Sequence, residues 1–219
     1  MLFAVDRNNQ KIAAASKADG WCSMCGEKLV AKCGQIVTHH WSHKSEDCDT
    51  WHEPETEWHL YWKSLVPPKY SEVTIEKDGQ QHRADIVTKN NVIIELQHSP
   101  LSIDEIAERE FFYGKMIWLF DVQTCRPTRD ANGTPLPGWA KQIRLRLRHK
   151  PGEPDLYTFR WVHPRRSIAY TQSPTYLDVG AGEIFKLDWM SKNTPCGGKG
   201  KVRPQREFEN WLRRQCDAA

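Results

Sequence analysis

One stretch of sixteen residues, HRADIVTKNNVIIELQ from His82 to Gln97, constrains the fold more than any other part of the chain. Its apolar and β-branched residues lie on both sides of Lys89-Asn90-Asn91, and asparagine favours turns because it tolerates positive φ. The pattern predicts two strands joined by a three-residue turn, and the second strand is apolar enough to be buried on both faces. An antiparallel register that pairs residue 88 with residue 92 also pairs residue 85 with residue 95.

This register predicts that Asp85 and Glu95 lie side by side, with Gln97 two residues further along the same face. Two carboxylates at that spacing repel each other, so they need either a bound cation or one shared proton. Hard divalent ions such as Mg²⁺ and Mn²⁺ bind carboxylate and carbonyl oxygens, so the pattern predicts a metal site. The alternative is an exposed hairpin with two unrelated acids, but a buried strand rarely leaves a carboxylate without a partner.

A second pattern, upstream of the hairpin, predicts a structural zinc site. A C-x-x-C pair is followed by a histidine and a cysteine at a spacing that suits the second pair of ligands. The expected ligands are Cys22, Cys25, His43 and Cys48. His40 competes with His43, and Cys33 competes with Cys48. A redox dithiol is the alternative, and it is disfavoured because no thioredoxin-like βαβ pattern surrounds the pair.

A helix is expected before the hairpin, over residues 53–66. Glu55, His59 and Lys63 recur there at intervals of four residues, so they would share one face of the helix. From spacing alone, ordinary salt bridging on a solvated helix face is the better explanation of this row. Residues 69–78 then predict a strand that turns into the hairpin.

A second helix is expected after the hairpin. Ser102 and Glu105 have the spacing of a capping box, and Glu105, Arg109 and Tyr113 form another row with four-residue spacing. The apolar run MIWLFD, residues 116–121, predicts a buried strand. The expected order is therefore helix, three strands, helix, strand.

The last third of the chain is predicted to be basic and rich in strands. A loop at 124–139, rich in proline and glycine, marks a boundary, and a strand after it places arginines on one face. The candidate phosphate contacts are Arg144, Arg146 and Arg148, joined by Arg165 and Arg166 further on. The glycines and lysines after Pro195 suggest a flexible link, followed by a short terminal helix.

Composition sets the remaining bounds. The 219 residues carry a net charge of +3 and seven cysteines, and no apolar run approaches the roughly 18 residues that a membrane span needs. We find no signal peptide, so we expect a cytoplasmic protein with reduced thiols, some of them on metal, and no membrane partner.

With these motifs placed, residues of about 20–121 resemble the competence-protein CoiA-like nucleases of the PD-(D/E)XK superfamily. The resemblance is carried by C-x-x-C, AKCG, HHWSH, CD-x-W, E-x-ET-x-WH-x₃-K, ADI, IIELQHSP, E-x₃-RE-x-FY and MIWLFD. It implies an α/β fold with a restriction-endonuclease-like core, a mixed sheet flanked by helices, an N-terminal zinc module and a C-terminal β-rich basic extension. The corresponding segments are 1–50, 51–123 and 124–219.

The resemblance also implies roles for the site residues. Asp85, Glu95 and the backbone carbonyl of Leu96 would hold Mg²⁺ or Mn²⁺, and Glu55 or His59 would complete that site. Gln97 stands where most of the superfamily has lysine, so it can orient a water molecule but cannot supply a charge. Three further residues would stabilise the phosphate or support the site: Lys63, Arg109 and Tyr113.

The expected function is metal-dependent hydrolysis of DNA in uptake, recombination or the processing of phage or plasmid DNA. The alternative is a DNA-binding or adaptor protein that keeps the fold and the zinc module without turnover. The form of the DNA stays open, and so does a homo-oligomer or a recombination-protein partner. In the presence of metal, an ion pair from Asp85 or Glu95 to Lys63 or Arg109 would favour the alternative.

Overall fold

The computed structural model describes residues 1–34, 38–44, 48–123, 156–161, 164–193 and 196–218, together with the backbone of 143–147. Its strands in the first half of the chain are β1 (Phe3–Val5), β2 (Lys11–Ala13), β3 (Val30–Lys32), β4 (His40–Ser42), β5 (Ser71–Lys77), β6 (Gln80–Val87) and β7 (Ile93–Gln97). Those in the second half are β8 (Met116–Asp121), β9 (Ile143–Leu147), β10 (Leu156–Trp161), β11 (Thr175–Gly180), β12 (Glu183–Met190) and β13 (Gly197–Pro204). The helices are α1 (Glu57–Ser64), α2 (Ile103–Tyr113) and α3 (Gln205–Gln215), with 3₁₀ turns at Pro68–Tyr70 and Arg166–Tyr170.

The chain divides into two compact units. The first unit comprises Met1–Ile94 with Leu212–Ala219, and the second comprises Glu95–Trp211. The boundary falls inside β7, so Asp85 belongs to the first unit and Glu95 to the second. The segments expected at 1–50, 51–123 and 124–219 stay predictions.

The first unit contains two short hairpins and the strands of the central stretch. The pair β1–β2 and the pair β3–β4 are both antiparallel. Trp41 is fully buried at the centre of an apolar cluster that includes Ala4 and Leu29. Its volume explains why Gly20 has no side chain, because a Cβ there would lie 2.8 Å from the Trp41 ring.

The central hairpin has the predicted register. β6 and β7 are antiparallel, with Ile86 opposite Ile94 and Val87 opposite Ile93. The turn closes where expected, because the Thr88 amide donates to the Val92 carbonyl at 3.0 Å. Asn91 adopts the positive φ that its residue type favours. The second strand is buried throughout, as its apolar composition predicts.

The first helix is shorter than predicted. It begins at Glu57 because Thr56 caps it and His59 completes the capping box in place of a glutamate. Glu55 therefore precedes the helix rather than sharing a helical face with His59 and Lys63, so the prediction of a helical row was wrong for Glu55. The second helix is confirmed, since Ser102 and Glu105 form the predicted capping box.

The elements from α1 to β8 follow one another in the expected order of helix, three strands, helix and strand. In the second unit the strand order runs from β7 through β8, β11, β12, β13 and β10 to β9. Its sheet is mixed, because β8 and β11 are parallel whereas the pairs β11–β12, β12–β13 and β10–β13 are antiparallel. The fold is α/β, with a large mixed sheet and flanking helices.

The flexible basic link predicted after Pro195 is wrong. Residues 197–204 form β13, which pairs with β12 on one side and β10 on the other. Its glycines serve close packing rather than flexibility. A Cβ on Gly200 would lie 2.1 Å from the Lys186 carbonyl oxygen, and one on Gly198 would lie 2.4 Å from that of Trp189. The terminal helix predicted after this segment is confirmed as α3.

No helix among the described residues is long and apolar enough to cross a membrane.

Candidate functional site

Four side chains of the first unit form a cluster that can hold a metal ion such as zinc. Their ligand atoms all lie within 4.8 Å of one another, and they belong to Cys22, Cys25, His43 and Cys48. The sulfurs of Cys22 and Cys48 are 3.6 Å apart, and Cys25 Sγ lies 3.5 Å from His43 Nε2. Three thiols and an imidazole are a donor set typical of structural zinc.

The structure also separates the competing ligands. The histidine in the cluster is His43, whereas the His40 ring bonds the Thr38 carbonyl at 3.0 Å. The last cysteine is Cys48, whereas Cys33 packs against the apolar cluster around Trp41.

The thiols of this cluster differ in their proton affinity. Burial raises the pKa of Cys48 far above its usual range, and the neighbouring sulfurs of Cys22 and Cys25 raise it further. Burial also acts to raise the pKa of Cys25, but hydrogen bonds from the Glu27 backbone and the His43 ring outweigh it and lower that pKa. A bound cation would favour the thiolate form of all three, so metal binding would release protons.

A second charged cluster of the first unit surrounds Lys63. Its ammonium contacts Glu55 Oε1 at 2.6 Å, Asp85 Oδ1 at 2.9 Å and Glu72 Oε1 at 3.1 Å. The Lys63 side chain is only 4 % exposed. Burial acts to lower its pKa, but the charges of Asp85, Glu55 and Glu72 outweigh burial and hold that pKa well above its usual value. Lys63 is therefore a permanent buried cation that draws three carboxylates to one point.

Glu72 is the member of this cluster that the sequence analysis missed. Its backbone φ is +51°, and it falls in β5 between the residues paired with Ile86 and Ala84, which flank Asp85. The Glu72 carboxylate also accepts hydrogen bonds from the Leu2 and Phe3 amides at 2.7–2.9 Å. Burial acts to raise its pKa, but the charge of Lys63 and these donors lower it strongly. The signal in the sequence was a glutamate between Ser71 and Val73 in an expected strand, which a pattern of single residues does not distinguish from a solvated acid.

The Lys63 ammonium occupies the point where the three carboxylates of this cluster converge. Asp85 keeps 17 % of its side chain exposed. The second carboxylate oxygen of Glu55 is buried and has no hydrogen-bond partner among the described residues. Carboxylate oxygens are the ligands that Mg²⁺ and Mn²⁺ prefer, but among the described residues the side chains close enough together to hold a metal ion as a group are those of the cysteine–histidine cluster.

His59 lies in the same neighbourhood and is buried. Its Nε2 contacts Glu53 Oε1 at 2.8 Å, and its Nδ1 is 2.8 Å from the Thr56 hydroxyl. Burial acts to lower its pKa, whereas the Glu53 hydrogen bond and the nearby charge of Asp85 raise it and prevail. His59 is thus held by Glu53 in a form that binds its proton more tightly than a solvated histidine.

Asp49, which follows the zinc-cluster residue Cys48, binds β6 directly. Its carboxylate bonds the His82 ring at 2.9 Å and accepts from the Arg83 amide at 2.7 Å. The ring of Trp51 stacks on His82 with centroids 3.4 Å apart. These contacts attach the zinc-binding segment to the strand that carries Asp85. The CD-x-W pattern was noted only as a family resemblance, and its contacts give it this structural role.

In the second unit, the predicted residues Glu95, Gln97 and Arg109 form one buried group. The Arg109 guanidinium donates from Nη1 to Glu95 at 2.9 Å and to Gln97 Oε1 at 3.2 Å. The Gln97 amide in turn donates to the Ser99 carbonyl at 2.9 Å. Arg109 is only 4 % exposed, so its guanidinium fixes the orientation of Glu95 and Gln97 without itself facing solvent.

The other predicted residues are not all part of these clusters. Tyr113 lies at the end of α2 and is half-buried, and Glu105 caps that helix. Arg165 is half-buried and Arg166 is exposed, at the start of a 3₁₀ turn. The predicted strand of arginines is present as β9, but the side chains of Arg144 and Arg146 and the whole of Arg148 lie outside the described residues. The Leu96 carbonyl stays a predicted ligand, as does the facing arrangement of Asp85 and Glu95.

Comparisons with protein-family models, with curated proteins and with solved structures find no match to this chain.

Proposed function

We propose that the protein is a Mg²⁺- or Mn²⁺-dependent deoxyribonuclease of the CoiA-like type. The observation that carries this proposal is the buried cluster in which Lys63 gathers Asp85, Glu55 and Glu72 within 3.1 Å of one ammonium nitrogen. A group of ionised side chains this large is seldom buried merely to stabilise a fold, because each buried charge loses its hydration. Concentrations of buried charge are typical of active sites, where they prepare a place for a metal ion and a phosphate.

Each residue of this cluster has a chemical part in the proposal. Asp85 and Glu55 would hold the ion, with Glu95 and the Leu96 carbonyl as further ligands that the motif implies. A bound divalent ion supplies a more acidic water and a counter-charge for the phosphoryl oxygens. Lys63 provides the positive charge that Gln97 cannot provide, and it would stabilise the phosphorane after release from one of its carboxylates.

His59 is the candidate proton acceptor for the attacking water. Its pKa is raised by Glu53, so the imidazole accepts a proton at a higher pH than a free histidine does. For this step the neutral His59 ring would release Glu53, to which Nε2 bonds in this structure, and Nε2 would take the water proton; the leaving 3′ oxygen would be protonated from solvent. Gln97 is held by Arg109 and Ser99 in one orientation, which suits a residue that positions water through its amide.

The test is cleavage of labelled single-stranded, duplex and junction DNA with Mg²⁺ or Mn²⁺, comparing wild type with Asp85→Asn and Glu95→Gln. The matched control is Asp104→Asn, which makes the same change at an exposed carboxylate in the first turn of α2. Loss of residues that only support a metal ligand costs about 10- to 100-fold, so loss of a ligand should cost about 100-fold or more. Melting curves of each variant separate lost chemistry from lost folding.

Metal-dependent cleavage that vanishes in Asp85→Asn but persists in Asp104→Asn would support the proposal. Cleavage that survives both Asp85→Asn and Glu95→Gln would refute this site. No cleavage of any DNA form by wild type with either metal would refute the enzyme itself.

One observation favours a second candidate, a DNA-binding protein without turnover. Asp85 is neutralised by Lys63 and Glu95 by Arg109, each at 2.9 Å, so neither carboxylate needs a metal for its charge to be balanced. Calorimetric titration with Mn²⁺ distinguishes the candidates. If the protein is the enzyme, wild type binds Mn²⁺ and Asp85→Asn binds it more weakly. If it is only a DNA-binding protein, neither wild type nor the variant binds Mn²⁺ at this site.

A further inference from the structure

We infer that one face of the β10–β12–β13 sheet in the second unit binds single-stranded nucleic acid, with Trp189 as a stacking platform for an unpaired base. The face is formed by four cations and one tryptophan, called here the basic face: Arg160, Lys186, Lys199, Lys201 and Trp189. Arg160 lies in the basic segment noted from the sequence, and Lys199 and Lys201 lie in the segment predicted as a flexible link, whereas Lys186 and Trp189 were not singled out. The inference names a substrate form for the proposed nuclease and rests on that proposal for its biological use, although the binding itself does not require catalysis.

The sheet register places these side chains together. In antiparallel pairs, directly opposite residues share a face. Lys186 lies opposite Lys201, and Trp189 lies opposite Lys199. Arg160 of β10 lies opposite Gly197 of β13, two residues along the same face from Lys199. A bulge between Leu187 and Trp189 is what turns Trp189 to the lysine side, and Asp188 is the extra residue it introduces.

The opposite face of these strands is the packed one. Phe159 and Phe185 lie there, and their rings contact at a centroid distance of 5.3 Å. They cover Gly198 and Gly200, where a Cβ would come within 2.6 Å of an aromatic ring. Lys186, Lys199 and Arg160 on the basic face are exposed. The same face is covered further along β12, where Ile184 is buried and lines a pocket with Lys186 and with Glu207 and Phe208 of α3.

On the basic face, side chains of the same positive charge lie across from one another instead of forming ion pairs. Lysines directly across an antiparallel ladder destabilise the sheet. Among the described residues no ion pair involves Lys186, Lys199 or Lys201, in contrast to Lys63. A polyanion that lies along the strands would relieve this repulsion, and the phosphates of a nucleic-acid chain are such a ligand.

Trp189 is the residue that favours single-stranded over duplex nucleic acid as the ligand of this face. Its side chain is 56 % exposed, which is unusual for so large an apolar ring. A cavity of about 690 Å³ is lined by Trp189 together with Lys186 and Lys192, and one acid, Asp188, and apolar residues such as Leu187 also contribute to its wall. Cavities of roughly 300–1,000 Å³ suit small ligands. Bases of a duplex are stacked on each other and leave only backbone to contact, whereas an unpaired base can stack on an indole ring.

The experiment measures fluorescence anisotropy of labelled oligonucleotides in buffer without added Mg²⁺ or Mn²⁺, which retains zinc and prevents cleavage. The probes are oligo-dT, the same length of single-stranded RNA, duplex DNA, and heparin as an unstructured polyanion competitor. The variants are Trp189→Ala and Lys199→Gln. Their matched controls are Phe111→Ala, an aromatic that is 81 % exposed on α2, and Lys115→Gln, an exposed lysine of the same unit.

We expect oligo-dT to bind more tightly than duplex DNA. Loss of one stacked base weakens binding roughly 5- to 150-fold in Trp189→Ala. Loss of one phosphate contact in Lys199→Gln should reduce the slope of log K against log salt concentration by about 0.7. Comparable binding of single-stranded RNA supports the same inference, because stacking and phosphates are common to both.

Duplex binding as tight as oligo-dT binding would overturn the inference, as would equal effects of Trp189→Ala and Phe111→Ala. Equal competition by heparin in wild type and Trp189→Ala would assign the face to general polyanion binding and would also overturn it. Binding without cleavage when metal is added would sustain this inference and refute the nuclease, so the two failures are distinguishable.

Discussion

Replacing Lys63 with methionine removes one charge from the buried cluster while keeping most of the side-chain volume. The ammonium contacts three carboxylates at 2.6, 2.9 and 3.1 Å, and the side chain is 4 % exposed. Breaking a buried ion pair by removing one partner costs about 3–5 kcal/mol, because the remaining charges stay buried without compensation. For a chain of this size, each kcal/mol lowers the melting temperature by roughly 2–4 °C, so the expected fall is about 6–20 °C.

The matched control is Lys89→Met. Lys89 bonds Asp217 at the same distance as Lys63 bonds Asp85, 2.9 Å, but its side chain is 44 % exposed. An exposed pair contributes about 0–1 kcal/mol, because water and salt screen it. Urea unfolding of wild type and both variants at pH 7 would therefore separate burial from the ion pair itself.

The stability deficit of Lys63→Met should also depend on pH, in a direction that a simple packing defect would not produce. The pKa of Glu72 is lowered in the folded protein, so its contribution to stability is present above the unfolded pKa of about 4.3 and is lost as pH falls through the folded value. Wild type loses that contribution on acidification, whereas the variant without Lys63 has less of it to lose, because the N-terminal ammonium, Arg83 and the Leu2 amide then lower the pKa of Glu72 without it. The stability difference should therefore shrink as the pH is lowered.

A divalent ion provides the link to function. If the cluster binds Mn²⁺, the ion can replace the missing ammonium and should raise the melting temperature of Lys63→Met more than that of wild type. The role of the buried Lys63 is refuted if Lys63→Met costs no more than Lys89→Met, or if its deficit stays the same when the pH is lowered from 8 to about 2, well below the unfolded pKa of about 4.3.

Three further predictions concern other parts of the molecule. We expect wild type to bind one equivalent of zinc by metal analysis and Cys22→Ser to lose it, with lower solubility, because the cluster supplies folding energy to the N-terminal segment; a zinc-free soluble wild type would contradict this. Gly200→Ala should lower the free energy of unfolding by about 1–3 kcal/mol or more, since a Cβ would lie 2.1 Å from a carbonyl oxygen. The control Gly34→Ala should change it little, because a Cβ there would meet nothing within 4 Å. Equal effects of the two variants in denaturant titrations would show that β13 is not packed as described. Glu53→Gln should lower the pKa of His59, measured by NMR titration. A raised folded-state pKa stabilises the fold below the unfolded pKa of about 6.5, and this stabilisation is lost as the pH rises, so the variant should be less stable than wild type at pH 6 but little changed at pH 9. An unshifted His59 titration would remove Glu53 from this role.

Much of the local structure was predictable from the residues alone. The hairpin register followed from the three-residue asparagine turn, because the loop length fixes which residues of β6 and β7 lie opposite each other. The capping box of α2 and the apolar strand β8 were predictable for similar reasons, since each signal lies within a few residues. The C-x-x-C spacing likewise indicated Cys22 and Cys25, but the choice of His43 over His40 and of Cys48 over Cys33 needed the structure.

The errors arose where a residue's role depends on distant parts of the chain. The glycines of β13 indicate flexibility in isolation, but the rings of Phe159 and Phe185 and the carbonyl of Lys186 leave no room for a side chain there. Glu72 has an ordinary sequence context, and only its contacts with Lys63 and the Leu2 amide make it part of the site.

The sequence by itself therefore determined most of the elements, the hairpin register and the C-x-x-C pair of the cluster, because turn, cap and strand signals are local and act on neighbouring residues. Only the tertiary structure decided which charges share a buried site, which glycines are required by packing, and which lysines stand opposite one another on an open sheet. Those features depend on side chains from separate strands meeting in space, and their energies come from burial and mutual repulsion that no single segment contains.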